Sequence, residues 1–120
     1  MGIGGNKSAV IQTAKVSKNK IGEPEKSYVD AVTSLKGWLD LLDGDSKHTT
    51  FNAKIQESTH IFLCDYVELQ YKVEGKPDEK ITPENSRMII DGEIYEVKMY
   101  DDPMGMHEHL EIYLKYTGGR

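Results

Sequence analysis

Apolar and polar residues alternate along most of this chain, in short runs cut by Gly, Pro, Asn and Asp. Period-two alternation turns one face of an extended segment toward a core and the other toward water, so these runs predict β-strands. The clearest is His109–Tyr116. Leu110, Ile112, Leu114 and Tyr116 fall on one face, and Glu111, Tyr113 and Lys115 on the other, the pattern of an antiparallel strand with one wet face. The sharpest turn signal is Asp91-Gly92, between the β-type runs Met88–Ile90 and Ile94–Tyr100. A primed hairpin turn needs positive φ at both central residues, and Asp-Gly supplies it.

The remaining runs follow the same logic. Ser8–Val16 predicts a first strand, and Ser17–Pro24, punctuated by Asn19, Gly22 and Pro24, a turn. Glu25–Val32 predicts a second strand. Ser34–Leu42 predicts a third, with Leu35, Gly37, Leu39 and Leu41 opposite Lys36, Trp38 and Asp40. Asp43-Gly44-Asp45-Ser46 breaks the pattern, and His48–Gln56 reads as a short helix or an excursion loop. Thr59–Leu69, the most apolar segment, predicts the central strand. Tyr71–Asn85, with Gly75, Pro77, Pro83 and many charges, reads as a long exposed loop, and Asp101–Met106 as a second turn. About six or seven strands with at most one short helix predict a small antiparallel β-barrel. No internal repeat or linker divides it, so residues 1–120 read as one domain behind a flexible Gly-rich segment, 1–7.

Charge and composition narrow the chemistry. The net charge is -5, a surface that repels phosphate backbones and argues against sequence-independent nucleic-acid binding. Lys15, Lys18 and Lys20 cluster, but beside a turn, where solvation explains them. Cys64 is the only cysteine, so no intrachain disulfide forms, which suits a reducing compartment. Within Ile61-Phe62-Leu63-Cys64 it reads as a small buried hydrophobe, whereas a catalytic thiol wants exposure and an activating partner. No apolar run approaches the ~18 residues of a membrane span. The first residues lack the apolar core of a signal peptide, and Asn6 stands where myristoylation wants Ser or Thr. A soluble protein made in a cytoplasm is the expectation.

Candidate motifs mostly fail their own spacing rules. Gly2-Ile3-Gly4-Gly5-Asn6-Lys7-Ser8 is similar to a phosphate-binding loop, but Asn6 splits the Gly-Lys pair and no strand precedes it. Counting a calcium loop from Asp43 puts His48 where Gly belongs and Lys54 where Glu belongs. His107 and His109 would share a face of a strand and could chelate a metal if His48, His60 or a carboxylate joined them. Two exposed histidines at a turn-to-strand junction explain the same residues. No Gly-x-Ser-x-Gly elbow occurs. Tyr66, Tyr71, Tyr95, Tyr100, Tyr113 and Tyr116 lie in or beside predicted strands and read as core or half-buried, with an interface role as the sharper alternative. Met104 and Met106 flank Gly105 in a turn, where flexible thioethers suit an adaptable contact surface or a loop folded over the barrel end. No catalytic residue, cofactor or metal is predicted.

Three patches, in order, resemble the head-closure or adaptor proteins that join head to tail in tailed phages and prophages. The first is Gly22-Glu23-Pro24, then Tyr28-Val29-Asp30 and an apolar stretch to Leu41-Leu42. The second is Ser58-Thr59-His60, opening a strand that ends at Tyr66. The third is Ile81-Thr82-Pro83, then Arg87-Met88-Ile89-Ile90-Asp91-Gly92-Glu93-Ile94-Tyr95-Glu96-Val97, with His109–Leu114 as the closing strand. The chain departs from the family where Ile61-Phe62-Leu63 replaces a more basic stretch and where Glu74–Asp78 looks inserted. The resemblance implies a non-enzymatic virion component, made in the bacterial host cytoplasm. It would be a small β-barrel, monomeric alone or assembled as a homo-oligomeric ring between portal or adaptor ring and tail proteins. DNA would pass its lumen without sequence-specific binding. It also implies an excursion over Asp43–Glu57 that lines or closes the channel, with Asp43, Asp45, His48, Phe51 and Lys54 as candidates. Lys76, Asp78, Met104 and Met106 are the expected partner contacts. A tail-completion or tail-terminator protein is the alternative within the same particle. A small enzyme or metal-binding module using His107 and His109 is the alternative outside it.

Overall fold

A computed structural model describes residues 4–42 and 53–119. The strands are β1 (Lys7–Lys18), β2 (Pro24–Leu41), β3 (His60–Asp65), β4 (Gln70–Val73), β5 (Lys76–Lys80), β6 (Ser86–Ile90), β7 (Glu93–Asp101) and β8 (His109–Gly119). The one α-helix among the described residues is α1 (Ala53–Glu57), and short 3-10 turns occupy Pro83–Asn85 and Pro103–Gly105. β1 pairs with β2 on one side and β6 on the other. That closes an antiparallel barrel in the order β1-β2-β3-β8-β7-β6, with β4 and β5 as a separate two-stranded sheet. Closure removes the free edges that an open antiparallel sheet would present. No helix among the described residues is long and apolar enough to cross a membrane.

The inward positions of the six strands fill the barrel. Ile11, Phe62, Cys64, Met88, Ile90, Leu110, Ile112 and Leu114 are fully buried, joined by Ile81 from outside the six strands. The Asp91-Gly92 turn has φ of 52° and 77°, the doubly left-handed geometry that the sequence predicts there.

Several expectations need correction. Glu25–Val32 and Ser34–Leu42 are one strand, β2, bent at two register slips against β1. Ala31 is one extra residue, Thr33 and Ser34 together oppose the single residue Val10, and Ser34 has a φ of 58°. A bulge breaks the alternation locally without ending the strand. Leu41, assigned to the buried face, is 76% exposed because β2 has run to the barrel rim by then. Tyr116, likewise placed inward, is 43% exposed at the same rim. Thr59–Leu69 is a strand only over His60–Asp65.

A further correction concerns Tyr71–Asn85, which holds the β4–β5 hairpin and not an open loop. Gly75, with φ of 72°, makes its turn. Every residue of β5 is exposed, so no apolar alternation marks it. The end of this segment belongs to the core: Ile81 is 1% exposed, and its N–H donates to the Leu69 carbonyl at 2.7 Å. Of the Gly-rich start, residues 4–7 are described. Gly5 lies so close to the Gly37 backbone that a Cβ there would overlap it, and Lys7 already belongs to β1.

Candidate partner-binding faces

Strand direction sorts the connections onto two rims. At the first rim lie the Asp91-Gly92 turn, the end of β8, the end of β2 and the start of β3 behind α1. At the opposite rim lie the far part of the β1–β2 hairpin, Tyr66 at the exit of β3, the β4–β5 hairpin, the Pro83–Asn85 turn and the β7–β8 turn.

The first rim is closed by aromatic rings. His60 meets Tyr95 edge-on at 5.3 Å between centroids, and Tyr95 meets Tyr116 at 5.4 Å. The Thr59 hydroxyl is bonded to His60 Nδ1 at 2.8 Å and accepts from the Tyr116 N–H at 2.8 Å. Thr59 N–H donates to the Leu114 carbonyl at 2.8 Å. The Ser58-Thr59-His60 patch therefore latches β3 onto β8. Desolvation holds the His60 imidazole below its ordinary pKa. Lys7 pairs with Asp91 across the rim at 2.5 Å.

Of the crossover candidates, Lys54 is exposed on α1, its carbonyl accepting from the Ser58 hydroxyl at 2.8 Å. Glu57 of the same helix pairs with Lys98 of β7 at 3.5 Å. Asp43, Asp45, His48 and Phe51 lie outside the described residues.

The opposite rim carries the other candidates. Asp102 organises the β7–β8 turn: one carboxylate oxygen accepts the His107 backbone N–H at 2.9 Å, and the other pairs with His107 Nδ1. The His107 ring stacks on Tyr66 at 4.3 Å between centroids. Met104 and His107 both sit at φ of 57°, in the left-handed region that costs non-glycine residues. This geometry holds Met104 and Met106 outward, 91% and 58% exposed. Asp78 of β5 and Asp102 face the same open groove of about 690 Å³, floored by Tyr66, Leu69, Met99 and Tyr100. Lys76 is exposed where β5 begins at the hairpin tip. Thus Asp78 and the methionine turn share one end of the barrel.

The groove floor is held by polar bonds. Tyr100 and Ser86 share a hydrogen bond at 2.8 Å, and the Ser86 hydroxyl donates to the Thr82 carbonyl. Burial pushes the Tyr100 phenol pKa up, so the group stays neutral. Asn85 Oδ1 accepts the Thr82 N–H at 2.8 Å, and its amide donates to the Lys80 carbonyl at 3.0 Å.

His107 and His109 do not form the shared face expected of them. His107 lies in the turn with Asp102, whereas His109 opens β8 and bonds Glu111 at 3.1 Å. The turn's left-handed backbone at residue 107 breaks the alternation that would align them. No group of three His, Cys, Asp or Glu among the described residues is arranged to hold a metal. Cys64 is fully buried, and its thiol is pushed up to about 12, first by burial and then by Asp65. That keeps it protonated and a poor nucleophile.

Sequence reasoning found the β1–β2 hairpin but missed the groove and the projection of that hairpin beside it. The signal for the second was present, since Val16 and Ile21 are apolar residues set among lysines near a turn. No protein-family model and no curated protein matches this chain.

Proposed function

We propose that this chain is a non-enzymatic connector of a tailed phage or prophage, which joins the head, through its portal or adaptor ring, to the tail. The observation that carries the reading is the division of projecting segments between two rims of one closed barrel. Hairpins, the methionine turn and the groove sit at one end, and the β2–β3 crossover leaves from the other. A joint between two unlike neighbours needs two unlike faces on a rigid body, and a small barrel supplies that body. The three patches of resemblance fall on features with structural work to do. Gly22-Glu23-Pro24 turns the long hairpin, Thr59-His60 latches β3, and Asp91-Gly92 closes β6 onto β7. The net charge of -5 suits a channel that does not grip passing DNA.

The test is co-sedimentation of the purified chain with an assembled portal–adaptor complex. Binding is expected, and it should fall when Met104 and Met106 become Ser while the circular dichroism spectrum is unchanged. Failure to bind portal complexes and tails alike overturns the reading. Cryo-electron microscopy of particles then assigns the layer: a ring under the portal supports the connector, and a ring at the tail end supports the tail-completion alternative.

A further inference from the structure

Past the barrel rim, β1 and β2 continue as a ribbon of two strands. Ala14–Lys18 pairs only with Pro24–Tyr28. β6 leaves β1 at Thr13, and β3 joins β2 only from Gly37 onward. A lone two-stranded ribbon is marginal in water, and both of its edges offer unpaired backbone groups. Yet this one is built to hold its shape. Asn19 Oδ1 accepts the backbone N–H groups of Ile21 and Glu23, each at 3.0 Å, and sets the tip. At the base, Arg87 lies over the Tyr28 ring at 3.8 Å and donates to Gln12, which donates to Asp30. The result displays Val16 at 68% and Ile21 at 77% exposure. Exposed aliphatic residues on a pre-organised projection mark a contact surface.

Its charge is opposite to that of the chain. Lys15, Lys18, Lys20 and Lys26 outnumber Glu23 and Glu25 on the ribbon, whereas the whole chain is at -5. The groove at the same rim has the reverse character. Glu68, Asp78, Glu84 and Asp102 surround it against Lys80 and His107, the latter paired with Asp102, over an apolar and aromatic floor. No described residue of the ribbon beyond Thr13 and before Val29 lines the groove of its own chain.

We infer that the ribbon of one copy docks in the groove of a second copy. Val16 and Ile21 cover the apolar floor, and the ribbon lysines face Asp78 and Glu84. One surface of each copy meets a different surface of the next, so the contact repeats, and with a suitable rotation it closes into a ring. This deepens the connector reading and rests on it only for ring closure. The contact itself belongs to the isolated chain.

The experiment is sedimentation velocity of the full chain up to roughly 1 mM, a range that captures weak association. Wild type is expected to self-associate, and less so in high salt, because exposed charges are screened. Two variants change exposed residues only: K18E/K20E makes the ribbon acidic, and D78K/E84K makes the groove basic. Each alone should associate at least about tenfold more weakly, since like charges then face each other. Mixed in equal amounts, they should recover assembly, because each ribbon again meets a groove of opposite sign. A monomeric wild type at the highest concentration overturns the inference. So do variants that associate like wild type, or a folded mixture that fails to recover. Recovery without binding to portal complexes sinks the connector reading and leaves this contact standing. Portal binding by a chain that never self-associates does the reverse.

Discussion

Gly37 shows how tightly single positions are constrained where the chain crosses itself. A Cβ at this site would strike the Leu63 carbonyl oxygen and come within 2.6 Å of the Phe62 ring, and a Cβ on Gly5 would in turn overlap the Gly37 backbone. The nearest obstacle is main chain, which cannot rotate away as a flexible side chain does, and the other is a buried ring packed in the core. Gly37→Ala should therefore cost about 3 kcal/mol, at the upper end for overpacking, read as a lowered urea midpoint with an unchanged slope. His60 offers a second test at this scale, through pH. Burial against Tyr95 and Tyr116 lowers its folded-state pKa below the ordinary 6.5. The unfolded chain therefore takes up the proton first as pH falls. Its contribution to stability is intact above 6.5 and is lost progressively as pH drops from there toward the depressed value. His60→Gln should flatten the thermal stability profile between neutral and mildly acidic pH. An unchanged slope would show that other groups set it.

At the scale of elements, the β4–β5 hairpin is an attachment to the barrel, not a part of its ring. Its base is set by Ile81 in the core and by the Tyr71 hydroxyl donating to Glu79 at 2.8 Å, while β5 is exposed throughout. Replacing Lys72–Asp78 with an Asn-Gly turn keeps both anchors. The melting temperature should move by no more than about 4 °C, equivalent to about 1 kcal/mol, whereas Ile81→Ala should cost about 2–5 kcal/mol. The same contrast explains what the sequence made legible. Strands with one dry face, such as β8 and the Asp91-Gly92 pair of β6 and β7, announce themselves by alternation, because burial on one side forces it. β4 and β5 have no dry face, so their charges read as loop, and only Gly75 marks the turn. β2 looks like two strands in the sequence because its bulges interrupt the period at Ala31 and Ser34 without interrupting the pairing. The groove was illegible for another reason. Tyr66, Asp78, Tyr100 and His107 come from four separate segments, and only barrel closure brings them to one rim.

For the whole molecule, the decisive property is that the two rims are far apart on one rigid shell. β7 alone runs nine residues between them, about 30 Å at the rise of an extended strand. Sites so separated, with no shared partners, add in stability to within a few tenths of a kcal/mol. Their binding effects should separate just as cleanly if each rim meets a different neighbour. Met104→Ser with Met106→Ser alters one rim at positions 91% and 58% exposed, and Lys54→Glu alters an exposed residue of α1 on the crossover that leaves the other. Neither change touches the core, so each should shift stability by no more than about 0.5 kcal/mol. The connector reading then predicts a crossed outcome in co-sedimentation. One variant loses the portal–adaptor complex and keeps the tail, the other does the opposite, and the triple variant loses both while remaining folded. Were both partners lost together from changes at a single rim, the two-faced joint would be untenable, because one surface would be serving both neighbours.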